Sequence, residues 1–273
     1  MKVEDLSPEA ASLYTPSLSK REARLLASWE QARVPSVTIA DIRLQVGAKA
    51  AKDVASGLTR KNVLQRVGRG IYLVRPLRSL VGPSTSTSIA SVATLLREQP
   101  HYIGGLWAFT HHRLTTQQYV TVIDAFVTRR RPPRDLGAAK LAFHVIGSEL
   151  LGYGIMRAVI EGTEVRVSDV ERTLLDVLDH PSLAGGFRGA LSLFQETLPR
   201  ADIKRLIDYA CRGSRASTCQ RVGVLLERRR TSPALLAPLR ERISRTRSRA
   251  AMLPNEAMRG HLNERWRLVE NDL

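Results

Sequence analysis

The sequence has only two cysteines, Cys211 and Cys219, in 273 residues. They stand eight positions apart with no CxxC pair. That excludes a disulfide scaffold and, unless histidines complete it, a structural zinc site. It fits a reduced compartment. No run of ~18 uncharged apolar residues could cross a membrane. The opening stretch MKVEDLSPEAASLYTPS has acids and a proline where a signal peptide needs a continuous apolar core, so a cytoplasmic protein is expected. A phosphate-binding glycine loop, a GxSxG elbow and an HExxH motif are all missing. No repeat recurs at a fixed period. What is present is ordinary for a folded soluble chain: 43% apolar and 25% charged residues, over a length that suggests two domains.

Acidic residues are scarce as well. Asp and Glu number 26 against 42 Lys and Arg, a formal charge of +16. An excess of that size suits a phosphate-bearing partner. Its distribution says more than its sum. Residues 1–76 hold 13 basic and 7 acidic side chains, residues 77–200 hold 13 and 11, and residues 201–273 hold 16 and 8. The surplus sits at the two ends. Within the first segment it is concentrated in 49–75, where Lys49, Lys52, Arg60, Lys61, Arg66, Arg69 and Arg75 face a single acid, Asp53.

Local signals give that segment a shape. Ser19-Lys20-Arg21-Glu22 has capping-box spacing, and Ala23, Leu26, Trp29 and Ala32 follow at helical intervals, predicting a helix from Lys20 to Arg33. Thr38 can cap a second helix, Ile39 to Val46, and Gly47 supplies a turn. A third helix, Ala48 to Thr59, turns Ala51, Val54, Ala55 and Leu58 inward and presents Lys49, Lys52, Asp53 and Ser56. Two short β-rich runs around Gly68-Arg69-Gly70 then read as a hairpin. Helix, helix, turn, helix, hairpin is the order of a winged helix-turn-helix. Such a helix fits the DNA major groove, and a hairpin tip bearing Arg69 can approach the backbone. The expected DNA-contacting residues are Lys49, Lys52, Ser56, Arg60, Lys61, Arg66 and Arg69.

Pro76 to Ser88 reads as a linker, so the expected domains are 1–80 and 84–273. The second domain reads as α+β: a small sheet from strands near 119–128, 140–146, 155–160 and 164–167, then helices near 187–197, 201–211, 216–229 and 234–246. Ser168-Asp169-Val170-Glu171 is a second capping box. Its candidate chemistry is thin. His111 and His112 are adjacent, hence ~100° apart on a helix and poorly placed as joint metal ligands. Asp169, Glu171 and Asp176 could serve a nuclease-like metal, yet capping and helix-dipole effects account for the first two. The triplets Arg129-Arg130-Arg131 and Arg228-Arg229-Arg230 offer a second basic surface. Neither a catalytic site nor a cofactor or metal site is expected.

Several stretches resemble one family. Leu64-Gln65-Arg66-Val67-Gly68-Arg69-Gly70-Ile71-Tyr72 looks like the hairpin of AbiEi-type antitoxins. Tyr102-Ile103-Gly104-Gly105 through His112-Arg113-Leu114 is similar to that family's second-domain opening. Val165 to Asp176, with Pro181 and Gly185-Gly186, resembles its most recognisable segment, and Asn263 to Leu268 with Asn271 its ending. The resemblance implies a transcriptional autorepressor and type IV antitoxin, in a bicistronic system linked to phage defence. Its functional partner would be a nucleotidyltransferase-like toxin, countered without necessarily forming a stable complex. The competing readings are a winged-helix transcription factor with a ligand-sensing or dimerising second domain, and a metal-dependent nuclease. With neither a coiled coil nor a long apolar stripe, the chain is expected to be a monomer that binds repeated promoter sites cooperatively.

Overall fold

The computed structural model describes residues 17–75, 89–97, 99–117, 121–136, 139–160 and 163–272. The linker expected at 76–88 and the turn expected at Glu161-Gly162 lie outside these residues. The fold is α+β, and the described residues divide into two compact units. The first draws on Met1–Pro100, Pro132–Ala142 and Val159–Val165, the second on His101–Arg131, Phe143–Ala158 and Arg166–Leu273.

The first unit opens with α1 (Lys20–Gln31), β1 (Ser36–Thr38), α2 (Ile39–Val46), α3 (Ala51–Arg60), β2 (Leu64–Gly68) and β3 (Ile71–Val74). This is a winged helix-turn-helix. Its sheet runs β1-β3-β2, so a strand that the pattern does not announce, Ser36-Val37-Thr38, flanks the hairpin. Helices α1 and α2 start where capping predicts. Ser19 Oγ accepts from Glu22 N, and Glu22 Oε2 accepts from Ser19 N; Thr38 and Asp41 repeat the exchange. Helix α3 starts three residues later than expected. Between Gly47 and Ala51 no Ser, Thr, Asp or Asn can fix an earlier start. Leu26, Trp29, Ile42, Ala51, Ala55, Leu58 and Leu64 fill the core. At the wing tip, Gly70 has φ of 70°, and its carbonyl accepts from Ile39 N at 2.7 Å. That bond ties the wing to the start of α2. Helix α4 (Ile89–Leu95) packs near the same sheet: a Cβ added to Gly68 would lie 3.3 Å from Leu95 Cδ1.

The chain continues with β4 (His101–Gly104), α5 (Gly105–His111), β5 (Val122–Val127), β6 (Arg134–Asp135), β7 (Lys140–Val145), β8 (Ile155–Ile160) and β9 (Thr163–Ser168). These strands form a six-stranded sheet ordered β6-β7-β5-β4-β9-β8, larger than the pattern suggests. Two short strands are the reason: β4 pairs antiparallel with β5 and parallel with β9, and β6 pairs antiparallel with β7. Then come α6 (Val170–Asp179), α7 (Phe187–Thr197), α8 (Ile203–Gly213), α9 (Ala216–Arg228) and α10 (Pro233–Ser244). The cap of α6 is Asp169, not Ser168: Asp169 Oδ1 accepts from Arg172 N at 2.9 Å. Ser168 instead ends β9, buried, with its hydroxyl 2.8 Å from that of Thr173.

Beyond α10, where no strand is expected, β10 (Ala250–Ala251), β11 (His261–Asn263) and β12 (Leu268–Glu270) form a three-stranded clip. Trp266 fastens it. Its fully buried indole lies so close to α9 that a Cβ on Gly223 would sit 2.1 Å from the ring. Its Nε1 donates to Glu227 at 2.8 Å. Asn271 then exchanges two hydrogen bonds with the backbone of Leu253.

Candidate functional site

Helix α3 sorts its residues by spacing. Ala51, Ala55 and Leu58 are buried, while Lys52, Ser56 and Arg60, four apart, form one exposed stripe. Lys49 is exposed in the turn before the helix, and Arg66 and Arg69 are exposed on the hairpin. Arg66 Nε also donates to Gly68 O at 3.3 Å, across the bulge in its own strand. The first unit thus carries every residue expected to touch DNA, but Lys61 differs from the rest. Its ammonium lies 2.6 Å from Glu22 Oε2 and joins the end of α3 to the start of α1. Burial pushes the Glu22 carboxyl up, but hydrogen bonds from Lys61 and Ser19 outweigh it and hold the group below 4.5.

The triplet Arg228-Arg229-Arg230 is split in the same way. Arg228 bonds Glu270 and Asp272, each at 2.6 Å, and so pins the end of the chain to α9. Arg229 and Arg230 are exposed. Arg129, Arg130 and Arg131 are exposed after β5.

A polar network runs through the second unit. Arg172 Nε donates to Asp176 at 2.9 Å, and Tyr102 Oη donates to the same carboxylate at 3.0 Å. Burial pushes the Asp176 carboxyl up to about 6, against the pull of Arg172 and Tyr102. Glu171 accepts from Asp202 N, and Asp169 accepts from Tyr209 Oη as well as capping α6. The three carboxylates suggested for a metal therefore hold structural bonds. Among the described residues no group of three His, Cys, Asp or Glu could hold a metal ion. His112 donates from Nε2 to Ser168 O, and His111 stacks on Trp107. Cys219 is buried, its thiol directed to Ala210 O and pushed up by that burial to about 12.

One constellation escapes sequence reasoning. His144 on β7 donates from Nε2 to Asp124 Oδ1 on β5 at 2.8 Å, and the His180 ring lies 5.7 Å away. Asp124 and His144 line a cleft of about 250 Å³. The glycines of Tyr102-Ile103-Gly104-Gly105 make it possible. A Cβ on Gly104 would lie 2.7 Å from Phe126, and one on Gly105, at φ of 61°, would lie 2.6 Å from Asp124 Oδ2. No spacing rule could have joined residues 124 and 144, because sheet pairing brings them together.

No helix among the described residues is long and apolar enough to cross a membrane. No family model matches the sequence, and no curated protein matches it significantly. Among solved structures, the RV2827C protein from Mycobacterium tuberculosis superposes with a TM-score of 0.69 at 13% identity, over 94% of each chain. At that identity the likeness is one of fold.

Proposed function

We propose that this chain is a DNA-binding repressor of its own promoter and the antitoxin of a bicistronic pair, countering a nucleotidyltransferase-like toxin. The observation that carries the DNA-binding half is the stripe Lys52, Ser56 and Arg60 on α3, beside a wing bearing Arg66 and Arg69. A helix fits the major groove, Ser and Lys reach base edges or phosphates, and wing arginines hold the flanking backbone. No side chain caps α3 at Ala50, so its first N–H groups remain donors for a phosphate. Lys61 serves this reading only by holding α3 in place. The antitoxin half rests on the sequence resemblance to AbiEi-type antitoxins.

One winged helix reads few base pairs, too few to choose a promoter among ~10⁶ competing sites. Two copies on repeated half-sites solve this, with the spacing set by the DNA helical repeat. The chain is accordingly a monomer in solution that binds the repeats cooperatively. Polarisation titrations with the promoter of its own operon test the reading. Lys52→Ala with Arg60→Ala should weaken binding by about 1–3 kcal/mol while the unfolding midpoint holds. Unchanged affinity would refute the α3 assignment. For the antitoxin half, co-expression with the product of the adjacent reading frame should restore growth.

A further inference from the structure

We infer that the cleft beside Asp124 and His144 binds a small planar heterocycle that presents N–H donors, of the size and chemistry of an amino-bearing nucleobase. The site lies wholly in the second unit, so it rests on no part of the DNA-binding reading. Its volume of about 250 Å³ equals roughly eight waters at ~30 Å³ each. One or two fused rings fill such a space, and most drug-sized ligands exceed it. Leu106, Val122 and Leu183 supply apolar walls for ring faces, while Thr121 and Ser182 add hydroxyls.

The polar end sets the ligand's edge. Asp124 is 5% exposed and wedged against Gly105, so its carboxylate is fixed in place. An ionised carboxylate only accepts hydrogen bonds, and a desolvated one favours strong N–H donors. The Nε2–H of His144 is committed to Asp124. The carboxylate's remaining lone pairs are then the acceptors at that end of the slot. A buried carboxylate at one end of an apolar slot selects a ligand edge that carries N–H donors. Adenine and cytosine offer exocyclic amino groups there, whereas N,N′-dimethyluracil, a ring of similar size, has no N–H to donate. The same acceptors oppose phosphate, so the free base is the better ligand.

Calorimetric or ligand-detected NMR titration of the full chain with adenine, cytosine and N,N′-dimethyluracil tests this. Adenine or cytosine should bind with Kd between about 10 μM and 1 mM, at least about tenfold tighter than N,N′-dimethyluracil. Asp124→Asn should weaken that binding by about tenfold or more. Leu183→Trp, which fills the slot and leaves the Asp124–His144 bond alone, should abolish it and serves if Asp124→Asn fails to fold. Absence of binding by both amino-bearing bases, equal binding of N,N′-dimethyluracil, or binding that survives Leu183→Trp would overturn the inference.

Discussion

Gly223 shows how much of this chain's identity is fixed by single contacts. It is a glycine inside α9 because the Trp266 indole occupies the space a Cβ would need. Gly223→Ala must displace either the indole or the helix, and overpacking of that kind costs about 1–3 kcal/mol. Urea unfolding should show the loss, and an unchanged midpoint would mean that the clip is not seated on α9. Asp176 gives a prediction in pH. Its carboxyl is raised from 3.8 to about 6, with burial the main cause. A carboxyl raised in the folded state stabilises while protonated; that contribution is complete below 3.8 and is lost as pH rises through about 6. The unfolding free energy of the wild type, relative to Asp176→Asn, should therefore fall between about pH 4 and 6 and level off above. A rise over that window would mean that Arg172 holds the carboxyl below its ordinary value.

Among the described residues, helices α1, α3, α5 and α9 end alike. Arg33, Asn62, Arg113 and Arg230 take φ of 50°, 58°, 55° and 59°. The following N–H then reaches back five residues: Val34 to Trp29, Val63 to Leu58, Leu114 to Phe109 and Thr231 to Leu226. This is the left-handed helix stop, usually made by glycine. A side chain there carries strain, so Arg230→Gly should raise stability by about 0.5–1 kcal/mol. A lower unfolding midpoint would count against it. Legibility at this scale follows locality. The starts of α1 and α2 were readable because Ser19 with Glu22 and Thr38 with Asp41 are three residues apart, and the α3 stripe because four residues make a turn. The arginine stops were not readable, since Arg gives no left-handed signal. Nor was the clip, whose strands of two or three residues show no period and whose anchor contact spans from Gly223 to Trp266. The Asp124–His144 pair and the Lys61–Glu22 bond were hidden for the same reason, being made by tertiary packing.

For the whole molecule, the net charge of +16 is a poor guide to how many phosphates are bound. Lys61 is matched by Glu22, Arg172 by Asp176, and Arg228 by two carboxylates. Lys49, Lys52, Arg60, Arg66 and Arg69 form no ion pair among the described residues, and all are exposed. Counterion release depends on cations that meet phosphate rather than on total charge, with a slope of about 0.9 per contact. If these five cations each meet one phosphate, log K should fall with log salt at a slope of about −4 to −5 per protein bound. Lys52→Ala should make the slope shallower by about 1. Arg228→Ala removes the same formal charge, yet it should leave the slope unchanged and lower thermal stability, because it frees Glu270 and Asp272 from their partner. Binding titrations at several salt concentrations on the three proteins decide the matter. A slope that drops for Arg228→Ala and holds for Lys52→Ala would move the DNA contact out of the winged helix and onto the end of α9.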